Sequence, residues 1–195
     1  KNNALLSIAR ELTERKDDIL KANKEDLARS ERENLAFPLL KRLKFDEKKL
    51  QGVIDGINCL VDLPDPVGRT LDATELDSDL ELYKVSCPIG VIGVIFESRP
   101  DALVQISTLG LKSGNSVILK GGSEARNTNR ILADIISDAT KKAGIPDGWI
   151  QLMESRSDVA EMLKMDEYID LIIPRGSNEF VRYIMENSNI AVLGH

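Results

Sequence analysis

Three short segments of this chain carry the residue types that hold anions: Glu97-Ser98-Arg99-Pro100, Lys120-Gly121-Gly122-Ser123 and Pro174-Arg175-Gly176-Ser177. Each offers a cation, a hydroxyl, or glycine backbone that a phosphate can approach closely. Each also joins an apolar run to a helical pattern. Taken singly, such turns use Gly and Ser as ordinary turn and cap residues. Taken together the case is stronger. In an open parallel sheet all three turns fall on one edge, outside the carboxyl ends of the strands, where ligands bind. The G-x-G-x-x-G fingerprint is absent, because Gly90 and Gly93 open a strand rather than close it and suit tight packing instead.

The elements that carry these turns follow from periodicity. Residues 1–62 predict helices: Leu5, Leu6, Ile8, Ala9 and Leu12 recur at helical spacing, and Ile19, Leu20, Ala22, Asn23 and Leu27 continue the stripe. Leu39, Leu40 and Leu43 begin another apolar face, and Leu50, Val53, Ile54, Ile57 and Leu60 a further one. Leu63-Pro64-Asp65-Pro66-Val67-Gly68 breaks the pattern. Residues 70–86 then alternate loosely around Asp77-Ser78-Asp79, which predicts a β-hairpin exposed on one face. From Ile89 onward strands and helices take turns. Strands are expected over 91–96, 116–120, 149–153, 169–173 and 190–193, with helices over 102–112, 127–143, 159–165 and 178–187. Short, nearly continuous apolar strands joined by helices predict an α/β fold: a Rossmann-like, five-stranded parallel sheet with helices on both faces. The expected division is 1–69 as N-terminal helices packed on the sheet, 70–86 as hairpin, and 87–195 as the ligand-binding core.

Composition removes several functions. The formal net charge is −6 at pH 7, and no Lys/Arg block offers the basic stripe that nucleic acid requires. Cys59 and Cys87 are the two cysteines; they make no disulfide framework, and no CxxC or Cys/His cluster suggests zinc. The one histidine, His195, ends the chain, which leaves no material for a histidine triad or metal site inside it. No apolar run reaches the roughly 18 residues of a membrane span, and no signal peptide opens the chain, so a reducing cytoplasm is the simplest expectation.

Pro88-Ile89-Gly90-Val91-Ile92-Gly93-Val94-Ile95-Phe96-Glu97-Ser98-Arg99-Pro100 resembles the signature stretch of the gamma-glutamyl phosphate reductase (glutamate-5-semialdehyde dehydrogenase) family, within the aldehyde dehydrogenase superfamily. Lys112-Ser113-Gly114-Asn115, Ile118 through Glu124, and Ile169 through Ser177 resemble further blocks of it. Asp65-Pro66-Val67-Gly68 is a weaker match. The resemblance runs from end to end. It implies NADPH-dependent reduction of L-glutamyl 5-phosphate to L-glutamate 5-semialdehyde in proline biosynthesis, in which a cysteine thiolate attacks the acyl phosphate and hydride reduces the thioester. The same enzyme occurs as the carboxyl half of a bifunctional pyrroline-5-carboxylate synthase, which leaves open whether a kinase domain precedes this region.

The resemblance also implies roles. Lys120 holds ribose hydroxyls or the adenosine phosphate, beside Gly121 and Gly122. Ser123 falls where NAD-preferring relatives carry a glutamate; a serine hydroxyl donates to a 2′-phosphate where a carboxylate repels it, which favours NADP, unless neighbouring Glu124 turns inward. Pro174, Arg175, Gly176 and Ser177 approach the pyrophosphate or nicotinamide. Ser98 takes the place of an oxyanion-stabilising asparagine, for which serine is a poorer match. Arg99 binds the substrate's phosphate or carboxylate, or else caps a surface loop. The family's nucleophilic cysteine lies in a later segment without counterpart here, so Cys59 and Cys87 are expected to be incidental and the isolated chain inactive. The hairpin implies a homo-oligomer. Two rival readings are an inactive fragment that only self-assembles, and a piece of a generic aldehyde dehydrogenase; Glu97-Ser98-Arg99-Pro100 argues against the latter, whose members show an aromatic-Asn-aromatic-Pro pattern there.

Overall fold

The computed structural model describes residues 1–155 and 157–194. His195 lies outside them. Four helices open the chain: α1 (Asn2–Glu14), α2 (Lys16–Arg32), α3 (Phe37–Leu43) and α4 (Glu47–Asp62). The apolar stripe of α1 buries Leu5, Ile8 and Leu12, as its spacing predicts. Asp46 caps α4, accepting from the Lys49 N–H at 3.1 Å. Helix α2 departs from its expected stripe. Its buried residues are Ile19 and the polar Asn23, Asp26 and Ser30, while Leu20 and Leu27 are only half-buried. Hydrogen bonds make burial of Asn23 and Asp26 tolerable, whereas the buried Ser30 hydroxyl has no hydrogen-bond partner among the described residues.

The hairpin pairs β1 (Thr70–Asp77) with β2 (Leu80–Val85) antiparallel, turning through Ser78 and Asp79, whose φ is 63°. All its residues are exposed, on both faces rather than one. Leu71, Leu76, Leu80, Leu82, Tyr83 and Val85 therefore stand in water.

The remainder alternates: β3 (Val91–Ile95), α5 (Pro100–Lys112), β4 (Ser116–Lys120), a 3₁₀ turn at Ser123–Ala125, α6 (Arg126–Lys142), β5 (Ile150–Met153), α7 (Ser157–Met162), β6 (Leu171–Pro174) and α8 (Asn178–Glu186). The strands form a parallel sheet in the order β5-β4-β3-β6. Among the described residues it has four strands, not the expected five. The segment 190–193 makes a single parallel bridge, Val192 to Ile172, with Ile172 N–H donating to Ala191 O at 2.8 Å and Leu193 N–H to Ile172 O at 2.9 Å. Only one residue of β6 is shared, so no ladder develops.

Alternation along the strands splits the core. Ile92, Val94, Val117 and Leu119 face α5 and α6, behind which α1 and α4 pack. Ile95 and Ile172 face the other way, into a second cluster with Met162, Leu163 and Ile184 from the α7 and α8 side. Gly93 permits that second layer: a Cβ there would stand 2.8 Å from Met162 Sδ. Gly90, at φ 129°, likewise leaves room for the Asp170 carboxylate, which accepts from the Val91 N–H at 2.8 Å. Both glycines serve packing, as their place at the start of the strand predicts.

Candidate functional site

Register brings the three chemical turns together. Ile95, the last residue of β3, pairs with Lys120 on one side and Pro174 on the other. The ladder continues one step further, with Phe96 N–H donating to Lys120 O at 3.0 Å and Arg175 N–H to Ile95 O at 2.8 Å. The segments 97–100, 121–124 and 175–177 thus leave one sheet edge at one level, on the carboxyl side.

Two cavities open there. One, of about 480 Å³, is lined by Ser98, Lys120, Gly121, Gly122, Ser123 and Arg175, with Leu35, Leu39, Phe180 and Tyr183 among its walls. The other, of about 760 Å³, lies over the Ile92, Val94 and Ile173 face along α5 and holds Arg99, Arg175, Gly176 and Ser177. Both volumes fall in the range of small-molecule sites, about 300–1,000 Å³. The cavities share Phe96, Glu97 and Arg175, so one ligand can meet another across those residues.

The smaller cavity collects six of the ten candidate residues. Lys120 is 6% exposed, and its ammonium donates to the Gly121 carbonyl at 2.8 Å rather than projecting free of the sheet edge. Gly121 and Gly122 do not leave open space for a ligand on their Cβ side, as the sequence suggests. A Cβ on Gly121 would collide with the Asn129 side chain, and one on Gly122 with the Glu124 carboxylate. On their Cβ side both glycines face protein side chains. Ser123 is exposed.

Glu124 turns inward. Its Oε1 accepts from the Ser98 N–H at 2.7 Å and from the Ser98 hydroxyl at 2.6 Å, tying the first loop to the second. Ser98 is 2% exposed and adopts φ 36°, a conformation that costs a non-glycine residue on the order of 1–3 kcal/mol. Both donors that would serve an oxyanion are thereby spent on a carboxylate.

In the larger cavity Arg99 pairs with Asp101 at 3.1 Å while its side chain stays 57% exposed. Arg42, from α3, joins Arg99 and Arg175 there, giving three guanidinium groups against the carboxylate of Glu97. That local excess of positive charge sits in a chain of net charge −6 and suits an anionic ligand. Pro174 is a buried strand residue and lines neither cavity. The Ser177 hydroxyl accepts from Phe180 N–H at 3.3 Å as the cap of α8, and Gly176 accommodates the Phe180 ring, 3.1 Å from a would-be Cβ.

Sequence reading missed Arg42 and gave Glu97 no role of its own, while the inward turn of Glu124 is the alternative it left open. Arg42 belongs to a helix taken as packing, and nothing in its spacing marks it. Cys59 and Cys87 are exposed and line neither cavity. Among the described residues no group of His, Cys, Asp and Glu is arranged to hold a metal ion, and no helix is long and apolar enough to cross a membrane.

A model of the aldehyde dehydrogenase family matches residues 7–193. A gamma-glutamyl phosphate reductase of Acetivibrio thermocellus is 73% identical over 195 residues, covering all of this chain and 45% of that protein. One from Pelotomaculum thermopropionicum is 74% identical with the same coverage. The chain thus spans about half the length of the curated relatives it matches. Among solved structures, the gamma-glutamyl phosphate reductase of Thermotoga maritima superposes with TM-score 0.94 at 36% identity, over 98% of this chain and 47% of that one. That of Saccharomyces cerevisiae gives 0.93 at 45% identity, over 100% and 50%.

Proposed function

Because this chain belongs to the aldehyde dehydrogenase family, we propose that it is the cofactor-binding part of an enzyme that reduces L-glutamyl 5-phosphate to L-glutamate 5-semialdehyde with NADPH in proline biosynthesis. The observation that carries the reading is the register of Ile95 between Lys120 and Pro174, which gathers three anion-suited turns at one edge. Its specificity comes from relatives named gamma-glutamyl phosphate reductase at 73–74% identity over the whole chain.

The donor set of the smaller cavity fits a nicotinamide dinucleotide. Lys120 and Arg175 supply positive charge, Ser123 an uncharged hydroxyl, and Phe180, Leu35 and Leu39 apolar walls. When bound, the reduced nicotinamide supplies hydride. Lys120, Gly121, Gly122 and Ser123 hold the adenosine end, and Ser123 offers a 2′-phosphate a donor rather than a repelling charge. Glu124 does turn inward, but its charge is engaged by two donors from Ser98. Arg175 to Ser177 border the shared end, toward the reacting centre. In the larger cavity Arg99, with Arg42 beside it, binds the carboxylate or phosphate of the substrate. Ser98 stabilises an oxyanion only after Glu124 releases it. The nucleophile is a cysteine other than Cys59 and Cys87, and this chain alone does not turn over. The hairpin, exposed on both faces, is an oligomerisation arm that pairs with a second copy, since a lone two-stranded ribbon is marginal in water.

Thermal-shift titration of the chain with NADPH, NADH and adenosine 2′,5′-bisphosphate tests the reading. It predicts stabilisation by NADPH and the bisphosphate at lower concentrations than by NADH. No shift with any of the three would refute it.

A further inference from the structure

The turn that follows Lys120 is held from behind by α2. The Arg29 guanidinium nitrogen Nη2 donates to Ser123 O at 3.2 Å and to Glu124 O at 3.0 Å, and pairs with Asp26 Oδ1 at 2.7 Å. Asp26 is 0% exposed, and both its oxygens are used at the start of α6: Oδ1 accepts from Asn127 N–H at 3.2 Å, and Oδ2 from Thr128 N–H at 2.8 Å and the Thr128 hydroxyl at 2.7 Å. Asn23, one turn earlier, donates to the same hydroxyl oxygen at 3.2 Å and to Leu43 O at 3.0 Å. Asp26 therefore caps α6 from another helix, and Arg29 reaches past it to the turn.

We propose that Arg29, oriented by Asp26, is a positioning residue that sets the conformation of the 121–125 turn for its ligand. This rests on the reading of that turn as a nucleotide loop. The physics is that of a trans peptide, whose C=O and N–H point in opposite directions. Drawing the Ser123 carbonyl toward α2 turns the Glu124 N–H away from α2, and drawing the Glu124 carbonyl does the same for the Ala125 N–H, which donates to Gly122 O at 3.2 Å. An exposed Asp–Arg pair three residues apart on one helix contributes little. This one differs because its acid is buried and fully bonded, and because the same Nη2 also reaches two carbonyls of a loop roughly 95 residues away in sequence.

The test uses the 195-residue chain with Arg29→Ala and Arg29→Lys. Hydrogen exchange is followed at the amides of 121–128, and NADPH binding by titration. Arg29→Ala is expected to speed exchange of the 123–128 amides about tenfold while β3 stays protected, and to weaken NADPH binding about tenfold. Arg29→Lys restores part of both, since an ammonium keeps the charge but lacks the planar fork. Unchanged exchange at the loop overturns the brace. Faster exchange with undiminished NADPH affinity makes Arg29 a structural clamp only and overturns the positioning role. If the wild-type chain itself takes up no NADPH, the nucleotide reading falls, and the exchange experiment still decides whether the brace exists.

Discussion

Glu124 accepts two hydrogen bonds from Ser98, one from its N–H and one from its hydroxyl, and so joins the ends of neighbouring strands across the candidate cofactor cavity. Glu124→Gln keeps an acceptor there and removes the charge. NADPH affinity is expected to rise on the order of threefold relative to NADH, as a partly screened repulsion against the 2′-phosphate disappears. Ser98→Gly, which tolerates φ 36° but deletes the hydroxyl, should change stability by no more than about 1 kcal/mol. Ser98→Val, β-branched in the left-handed region, should lose about 2 kcal/mol or more. Isothermal titration and urea unfolding read these outcomes; equal cofactor effects in Glu124→Gln would remove the carboxylate from the discrimination.

The hairpin gives a second expectation. Leu82 opposes Thr74 on one face of the ribbon, and Tyr83 opposes Ala73 on the other. Leu82→Asp or Tyr83→Asp should weaken self-association in sedimentation while leaving the thermal midpoint of a dilute sample within about 2 °C, because neither side chain packs on the core. Unaltered association in both variants would assign the interface elsewhere.

Much of this architecture can be read from the sequence, and the exceptions have physical causes. The strand cores are legible because Val91 to Ile95 and Ser116 to Lys120 are short apolar runs between turn residues, and the three anion-suited turns are legible because parallel topology leaves them one edge. Helix α2 is not. Period alone places Leu20 and Leu27 inside along with Asn23, whereas tertiary hydrogen bonds to Thr128, Leu43 and Phe45 reward burying Asn23 and Asp26 and leave the two leucines half-buried. A buried polar face has no hydrophobic period to detect. The surroundings of the glycines after Lys120 are hidden for a related reason: a Cβ at either would meet Asn129 or Glu124, and only the folded chain reveals those neighbours. The 190–193 run is apolar enough for a strand, but it meets β6 at Ile172 alone.

Acid should destabilise the chain in a defined direction. The Asp46 carboxyl is held below its usual range, first by the Lys49 N–H it caps and then by the Lys44 ammonium; Glu154 is lowered by its pairing with Arg130. A carboxyl with a depressed folded pKa adds stability above its unfolded value, and this is lost as pH falls through the folded value. Unfolding free energy should therefore drop as pH is lowered below about 4. Asp46→Ala should lose about 1 kcal/mol at pH 7 and show a smaller acid-dependent loss than the wild type. Urea unfolding at pH 7 and pH 3.5 checks both; parallel losses in the two proteins would mean Asp46 does not contribute to the linkage.

The cysteines give a negative expectation. Both are exposed and outside the two cavities, so the Cys59→Ser, Cys87→Ser double variant should bind NADPH as the wild type does. Neither protein should catalyse phosphate-dependent reduction of NADP by glutamate semialdehyde. Turnover in the wild type that vanishes in the double variant would make one of these thiols the nucleophile.

Titration of Lys120→Ala and Ser123→Glu with NADPH and NADH decides whether the Lys120 turn reads a dinucleotide carrying a 2′-phosphate. A charge-assisted hydrogen bond contributes roughly 1.5–3 kcal/mol, and each 1.4 kcal/mol is about tenfold in affinity. Lys120→Ala should accordingly weaken NADPH binding about ten- to a hundredfold, with a smaller loss for NADH, and Ser123→Glu should shift preference toward NADH. Thermal unfolding of the same variants confirms that the fold is intact. Equal losses for the two cofactors in Lys120→Ala, in a folded protein, would contradict the account and put the reading of the 2′-phosphate elsewhere.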